Sequence, residues 1–198
     1  SPMMYAPFGL SSFTPDDNSV KYSIDLSFRN MDTDPKIGQM HRAMVDLDEK
    51  IITVAVENST KWFGKKMKRE VIEELYRPVV KPAKDPSKYA PTIKTKLQNN
   101  NKGVPQAEIY DHTGKSISLD SIVGGSRLQV IMECASIWFV NKQFGVSWKT
   151  VMVKMGKEEK ISGIKSFVVD SDVEDEEEEE EEYEEEVGGQ EADAEEED

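Results

Sequence analysis

The sequence predicts a mainly β chain with inserted helices: a small Greek-key barrel of the OB-fold type, followed by a disordered acidic tail. Three observations predict it. Several short stretches alternate apolar and polar residues, one long stretch among them repeats its apolar residues every three or four positions, and the end of the chain has no apolar pattern at all. The boundaries that follow are a flexible N-terminal arm over 1–19, a barrel domain over 20–169 with a helical insertion at about 34–77, and the tail over 170–198.

Residues 1–19 are rich in Ser, Pro and Asp and read as a loose arm. From Val20 to Phe28, VKYSIDLSF alternates strictly, the mark of a half-buried antiparallel strand. Thr33-Asp34-Pro35 then supplies an N-cap with proline at the first helical position. Ile37, Met40, Met44, Leu47, Ile51, Val54 and Ala55 place a helix over about 35–57. A shorter helix over about 66–76 stops at Pro78, and PVVKPAKDPSKYA after it reads as an extended basic loop. Strands are predicted at Thr92–Leu97 and Gln106–Tyr110, turns at 99–103 and 112–114, and a single helical turn at Leu119–Val123. Two long strands close the domain, Arg127–Val140 and Gly145–Met155, joined by Asn141-Lys142-Gln143-Phe144.

The net charge of −14 conceals two opposite halves. Of the 39 acids, 20 lie in residues 170–198, which hold no Lys or Arg; residues 1–169 therefore carry 19 acids against 25 bases, a net +6. Residues 60–102 alone hold twelve bases and four acids. A basic body with an acidic tail points to a polyanionic partner and a regulatory appendage. Cys134 is the only cysteine, which excludes an intrachain disulfide and suits an intracellular, reducing compartment. No apolar run is long enough to span a membrane, so no membrane partner is expected.

No catalytic constellation emerges, and the chain reads as a non-enzyme without metal or cofactor. Gly114-Lys115-Ser116 resembles the end of a phosphate-binding loop, but Ile109 stands where its first glycine would be. His41 and His112 have neither metal-pair nor triad spacing, and Cys134 alternates with Leu128, Val130 and Met132, as a buried inert thiol would.

The binding signal lies in aromatics interleaved with lysines. CASIWFVNKQFGVSWKTVMVK puts Trp138, Phe139, Phe144 and Trp148 within eleven residues. Alternation assigns Trp138 to the core side with Leu128, Val130 and Met132, and Phe139 to the surface; Trp148 also reads more readily as core. On the following strand Phe144, Val146 and Trp148 share one face while Val151 and Val153 share the other, which a bulge near Lys149 would reconcile. Exposed rings can stack on any base while Lys and Arg follow the phosphates. In KWFGKK, Trp62 and Phe63 fit as plugs holding helices to the barrel, with Lys61, Lys65 and Lys66 as a charged rim.

KWFGKKMKREVIEELYRPVVK, YAPTIKTKL and SLDSIVGGSRLQVIMECASIWFVNKQFGVSWK, in that order and spacing, resemble the single-stranded DNA-binding proteins of nucleocytoplasmic large DNA viruses, of the African swine fever virus and giant-virus type. The resemblance covers about residues 20–155. More distantly the chain is similar to the replicative single-stranded DNA-binding proteins of short-tailed phages, which also pair an OB-fold with an acidic tail. The resemblance implies an OB-fold that coats single-stranded DNA in viral replication, recombination or repair, within a replication factory in the host cytoplasm or in the host nucleus. It implies a surface drawn from Lys94, Lys96, Arg127, Phe139, Lys142, Trp148 and Lys149; the KWFGKK loop, read from its own residues, adds Lys61, Trp62, Lys65 and Lys66 as a rim of the groove. The phage tails end on an aromatic residue, whereas this sequence ends EEED at Asp198, so docking of a terminal ring on a replication partner is not implied.

Two rivals share parts of this chemistry. A histone or basic-protein chaperone also carries Glu tracts but needs no basic body, and an RNA-binding OB protein differs only in contacts to the 2′-hydroxyl. The tail is expected to occupy the groove when nucleic acid is absent and to recruit a polymerase, primase or helicase when displaced. Ser171, followed by Asp172 and Glu174, is a candidate acid-directed phosphosite, and homo-oligomer formation is left open by the sequence.

Overall fold

A computed structural model describes residues 1–15, 20–100 and 103–157. Nine strands and three α-helices are present among them: β1 Met3–Ala6, β2 Leu10–Phe13, β3 Lys21–Ser27, α1 Pro35–Glu57, α2 Ser59–Phe63, α3 Arg69–Leu75, β4 Tyr76–Arg77, β5 Val80–Lys81, β6 Thr92–Leu97, β7 Glu108–Tyr110, β8 Ser126–Val140 and β9 Gln143–Met155, with one 3-10 turn at Leu119–Ser121.

Strand pairing closes a barrel. β1 pairs with β3, β3 with β6, β9 with β8 and β8 with β1, all antiparallel, and β6 joins β9 in parallel through Lys96↔Lys149 and Leu97↔Thr150. This is a five-stranded OB-type barrel. Its first strand is split: β1 and β2 run along the same edge of β3, bent at Pro7–Gly9. Gly9 sits there at φ +71°, and a Cβ on it would lie 2.5 Å from the Val123 carbonyl carbon. The segment predicted as a loose arm is therefore largely barrel wall; four-residue strands beside a Pro-Phe-Gly bend are too short to show a period.

Alternation places Met4, Ala6, Ile24, Leu26, Phe28, Ile93, Leu97, Leu128, Val130 and Val153 inside the barrel. Asp34 caps α1, accepting from Lys36 N at 2.9 Å. At 23 residues α1 is about 34 Å long, enough to serve two cores. Its first half sets Ile37, Met40 and Met44 on the barrel. Its second half sets Leu47, Ile51 and Ala55 against Ile72, Tyr76 and Phe144 in a second core. Asp48, buried between them, accepts from Tyr76 Oη at 2.6 Å and Val79 N at 3.0 Å, tying α1 to the return segment that leads to β6. Burial, and then the Asp48 carboxylate, push the Tyr76 phenol far above its ordinary pKa, so it remains a donor.

β8 and β9 form one long hairpin whose distal half rises past the barrel beside the helices. Asn141 and Lys142, at φ 44° and 69°, make a two-residue turn where a four-residue connection was predicted. Two register shifts interrupt the hairpin. Val151 is the extra residue on β9, close to where a bulge was expected, and Ala135 is the extra residue on β8. Cys134, predicted buried, is exposed; the barrel core ends below it, and alternation alone does not show how far a strand outruns its cover. The acidic run and Ser171 lie outside the described residues.

Candidate nucleic-acid interface

The barrel's outer face is built by the residues that alternate with its core. On β3 these are Lys21, Ser23, Asp25 and Ser27; on β6 they are Thr92, Lys94 and Lys96. Register sets Lys94 opposite Asp25, and it lines up Ser23, Lys96, Lys149 and Glu133 across four strands. Lys149 Nζ lies 3.1 Å from Glu133 Oε2. Asp25 is buried beneath this surface at 6 % exposure, so the face presents mainly its lysines.

Toward β1 the face acquires a ring. Tyr5, opposite both Ser27 and Arg127, has two guanidiniums near its ring: Arg29 Cζ is 5.5 Å and Arg127 Cζ 5.8 Å from its centroid. Cations over a ring fix its position at little cost in exposure. Neither Tyr5 nor Arg29 was singled out from sequence, Tyr5 because it stands in the supposed arm.

At the hairpin end a second ring appears, and the Ala135 bulge decides which. One extra residue exchanges the two faces of every residue after it. Trp138 therefore pairs with Gly145 on the outer face and is half-buried rather than core, while Phe139 pairs with Phe144 on the helical side and is exposed there. Trp138 lies so close over Gly145 that a Cβ there would be 2.7 Å from its ring. Arg77 stands beside Gly145 in register and donates from Nε to Gln143 Oε1 at 2.9 Å. Lys142 is exposed at the turn.

Phe139 instead joins a packed cluster. It stacks on Phe144 at 5.8 Å and 11°, and Trp62 and Phe63 meet it edge-on at 5.6 and 5.7 Å. It keeps 42 % exposure because it closes the rim of that cluster. Trp62 and Phe63 thus plug α2 onto the hairpin, and Lys61, Lys65 and Lys66 lie exposed around them. Trp148 packs inside against the barrel core, away from the face. Of the residues chosen from sequence, the structure brings Lys94, Lys96, Arg127 and Lys149 onto one outer face. It puts Lys142 at the tip and Lys61, Lys65 and Lys66 on a separate rim; Trp62 and Trp148 pack inward, and Phe139 is exposed, as expected, but at the rim of the aromatic cluster rather than on the lysine face.

Among the described residues, no three His, Cys, Asp or Glu side chains gather as a metal site. None of the described helices is long and apolar enough to cross a membrane.

Fold and face together define a basic OB-type module. The chain belongs to a family of unknown function (DUF5871), which it matches over residues 24–168. No curated protein matches its sequence. Among solved structures it is similar to gp2.5, a single-stranded DNA-binding protein of bacteriophage T7, at 18 % identity and a TM-score of 0.47, over 84 % of this chain and 98 % of that one. It is also similar to the single-stranded DNA-binding protein of bacteriophage Enc34 in complex with single-stranded DNA, at 13 % identity and a TM-score of 0.48, over 81 % and 87 %. Likeness at this level assigns no function to the chain.

Proposed function

We propose that this protein binds single-stranded DNA, with little sequence preference and without catalysis. The observation that carries the reading is the outer barrel face: Tyr5 and Trp138 are its two rings, and Lys94, Lys96, Lys149, Arg127 and Arg29 surround the path between them. The outer surface of the central strands and the hairpin loops are where OB-folds take oligonucleotides. Bases stack on the rings at about 1–3 kcal/mol each while the cations follow the phosphates.

In this reading the protein coats DNA in viral replication, recombination or repair, as a member of the large-DNA-virus type. The acidic run from Asp170 is a tethered polyanion that competes for the face and is freed for a replication partner when DNA displaces it. Titration of an oligonucleotide over a salt series tests the binding: log K is expected to fall linearly with log salt, and Trp138→Ala to weaken binding about 5- to 100-fold. Equal or tighter binding to a duplex of the same length would overturn it. If removing residues 170–198 leaves low-salt affinity unchanged, the competition fails while the binding stands.

A further inference from the structure

Phe8 is a large apolar side chain that the fold does not use. It is 53 % exposed and belongs to neither the barrel core nor the second core. It stands on the bend between β1 and β2, and the backbone of that bend is tied down on both sides. Gly9 N–H donates to Ala6 O at 3.2 Å, Gly125 N–H donates to the same carbonyl at 2.8 Å, and Leu10 N–H donates to Ile122 O at 3.1 Å. A Cβ on Gly124 would lie 3.2 Å from Pro7 O, so the two segments touch along their backbones. A ring presented on backbone that is already bonded costs little further ordering when a ligand covers it.

Register sets this bend beside the lysine face. Tyr5 lies opposite Ser27 and Leu10 opposite Ile24, so residues 6–9 run along Asp25 and Leu26 of β3. On the other edge of β3, Asp25 pairs with Lys94. The bend is therefore two strand spacings, about 10 Å, from the backbone of Lys94. Tyr5 is three residues back along the chain, no more than about 11 Å away, with Arg29 and Arg127 near its ring. Phe8 thus has a stacking ring on one side and a phosphate-binding lysine on the other.

We propose that Phe8 is a third stacking ring of the nucleic-acid site, taking an unpaired base next to the one on Tyr5 and lengthening the path that starts at Trp138; this rests on the DNA-binding reading above. A phenyl ring has no hydrogen-bonding group with which to read a base edge, so the added contact is sequence-tolerant like the others.

The test titrates an oligothymidylate into the full chain over a salt series, for wild type, Phe8→Ala, Phe8→Leu and Phe8→Trp. Phe8→Ala and Phe8→Leu should each weaken binding about 5- to 100-fold, and Phe8→Trp should keep wild-type affinity. The slope of log K against log salt should be unchanged in all three, because a base contact is lost and no phosphate contact. Denaturation midpoints should also stay where they are, since the ring is exposed. Wild-type affinity in Phe8→Ala overturns the proposal, and so does wild-type affinity in Phe8→Leu, which would mean that apolar bulk rather than a ring is what counts. A loss of affinity that comes with a lowered denaturation midpoint overturns it too, as a structural effect. A wild-type chain that does not bind the oligothymidylate overturns the DNA-binding reading and this one with it; a wild type that binds, with Phe8→Ala binding equally, overturns this one alone.

Discussion

Two aromatic regions of this molecule lie a few residues apart and are built on opposite plans. Around Phe144 the rings of Trp62, Phe63, Tyr76 and Phe139 form a cluster with contacts at 5.1–6.4 Å, in a mainly apolar setting between helices and hairpin. On the barrel's outer face Tyr5 and Trp138 meet no other ring among the described residues: one lies beside two guanidiniums and the other on a glycine. Rings that face each other stabilise the fold. Rings set singly beside cations are the ones that, in the function proposed above, a base would meet. The difference shows that ring content does not mark a binding site; the neighbours of each ring do.

The comparison can be broken from either side. The largest effect expected is from Phe144→Ala: a loss of about 3–5 kcal/mol in chemical denaturation, because the ring is fully buried among four others. A loss below about 1 kcal/mol would mean that the cluster is not a core. Next comes Lys94→Glu/Lys96→Glu. It should lower DNA affinity severalfold or more and reduce the slope of log K against log salt by about 2 or more, with denaturation midpoints little changed. An unchanged slope would remove these lysines from the phosphate path. Comparable in size is Gly145→Ala, whose methyl collides with the Trp138 ring and the Arg77 carbonyl. It should weaken DNA binding about as far as Trp138→Ala does. Phe139→Ala, made in parallel, should cost stability and leave affinity within about twofold; if it matches Trp138→Ala in affinity, the two regions are not functionally distinct.

Much of this was legible in the sequence where a period repeats often enough. Alternation over Val20–Phe28 and Thr92–Leu97 located β3 and β6 and, with them, Lys94 and Lys96 on the side away from the core. Asp34-Pro35 and the apolar repeat located α1 to the residue. What escaped was of two kinds. β1, β2, β4 and β5 are two to four residues long, so Tyr5 and Arg77 had no pattern to reveal them. The bulge at Ala135 is a single inserted residue that alters no composition, yet it exchanges the two faces of the strand beyond it, setting Trp138 on the outer face and Phe139 on the helical side. A small-residue pair, Ala135-Ser136, in a strand otherwise of bulky residues, with Gly145 across the hairpin, is the only trace it leaves.

The buried carboxylate of Asp48 has a consequence for how the molecule comes apart. Its acceptor bonds reach Tyr76, Val79 and Val80, which lie 28 to 32 residues further along the chain. Loosening α1 would strand that charge and open the return segment whose β5 pairs with β6 of the barrel. Barrel and helical insertion are therefore expected to unfold in one transition, seen as coincident denaturation curves by fluorescence and by far-UV circular dichroism. Removing residues 35–75 would take Asp48 with it and would uncover the barrel side on which Ile37, Met40 and Met44 pack.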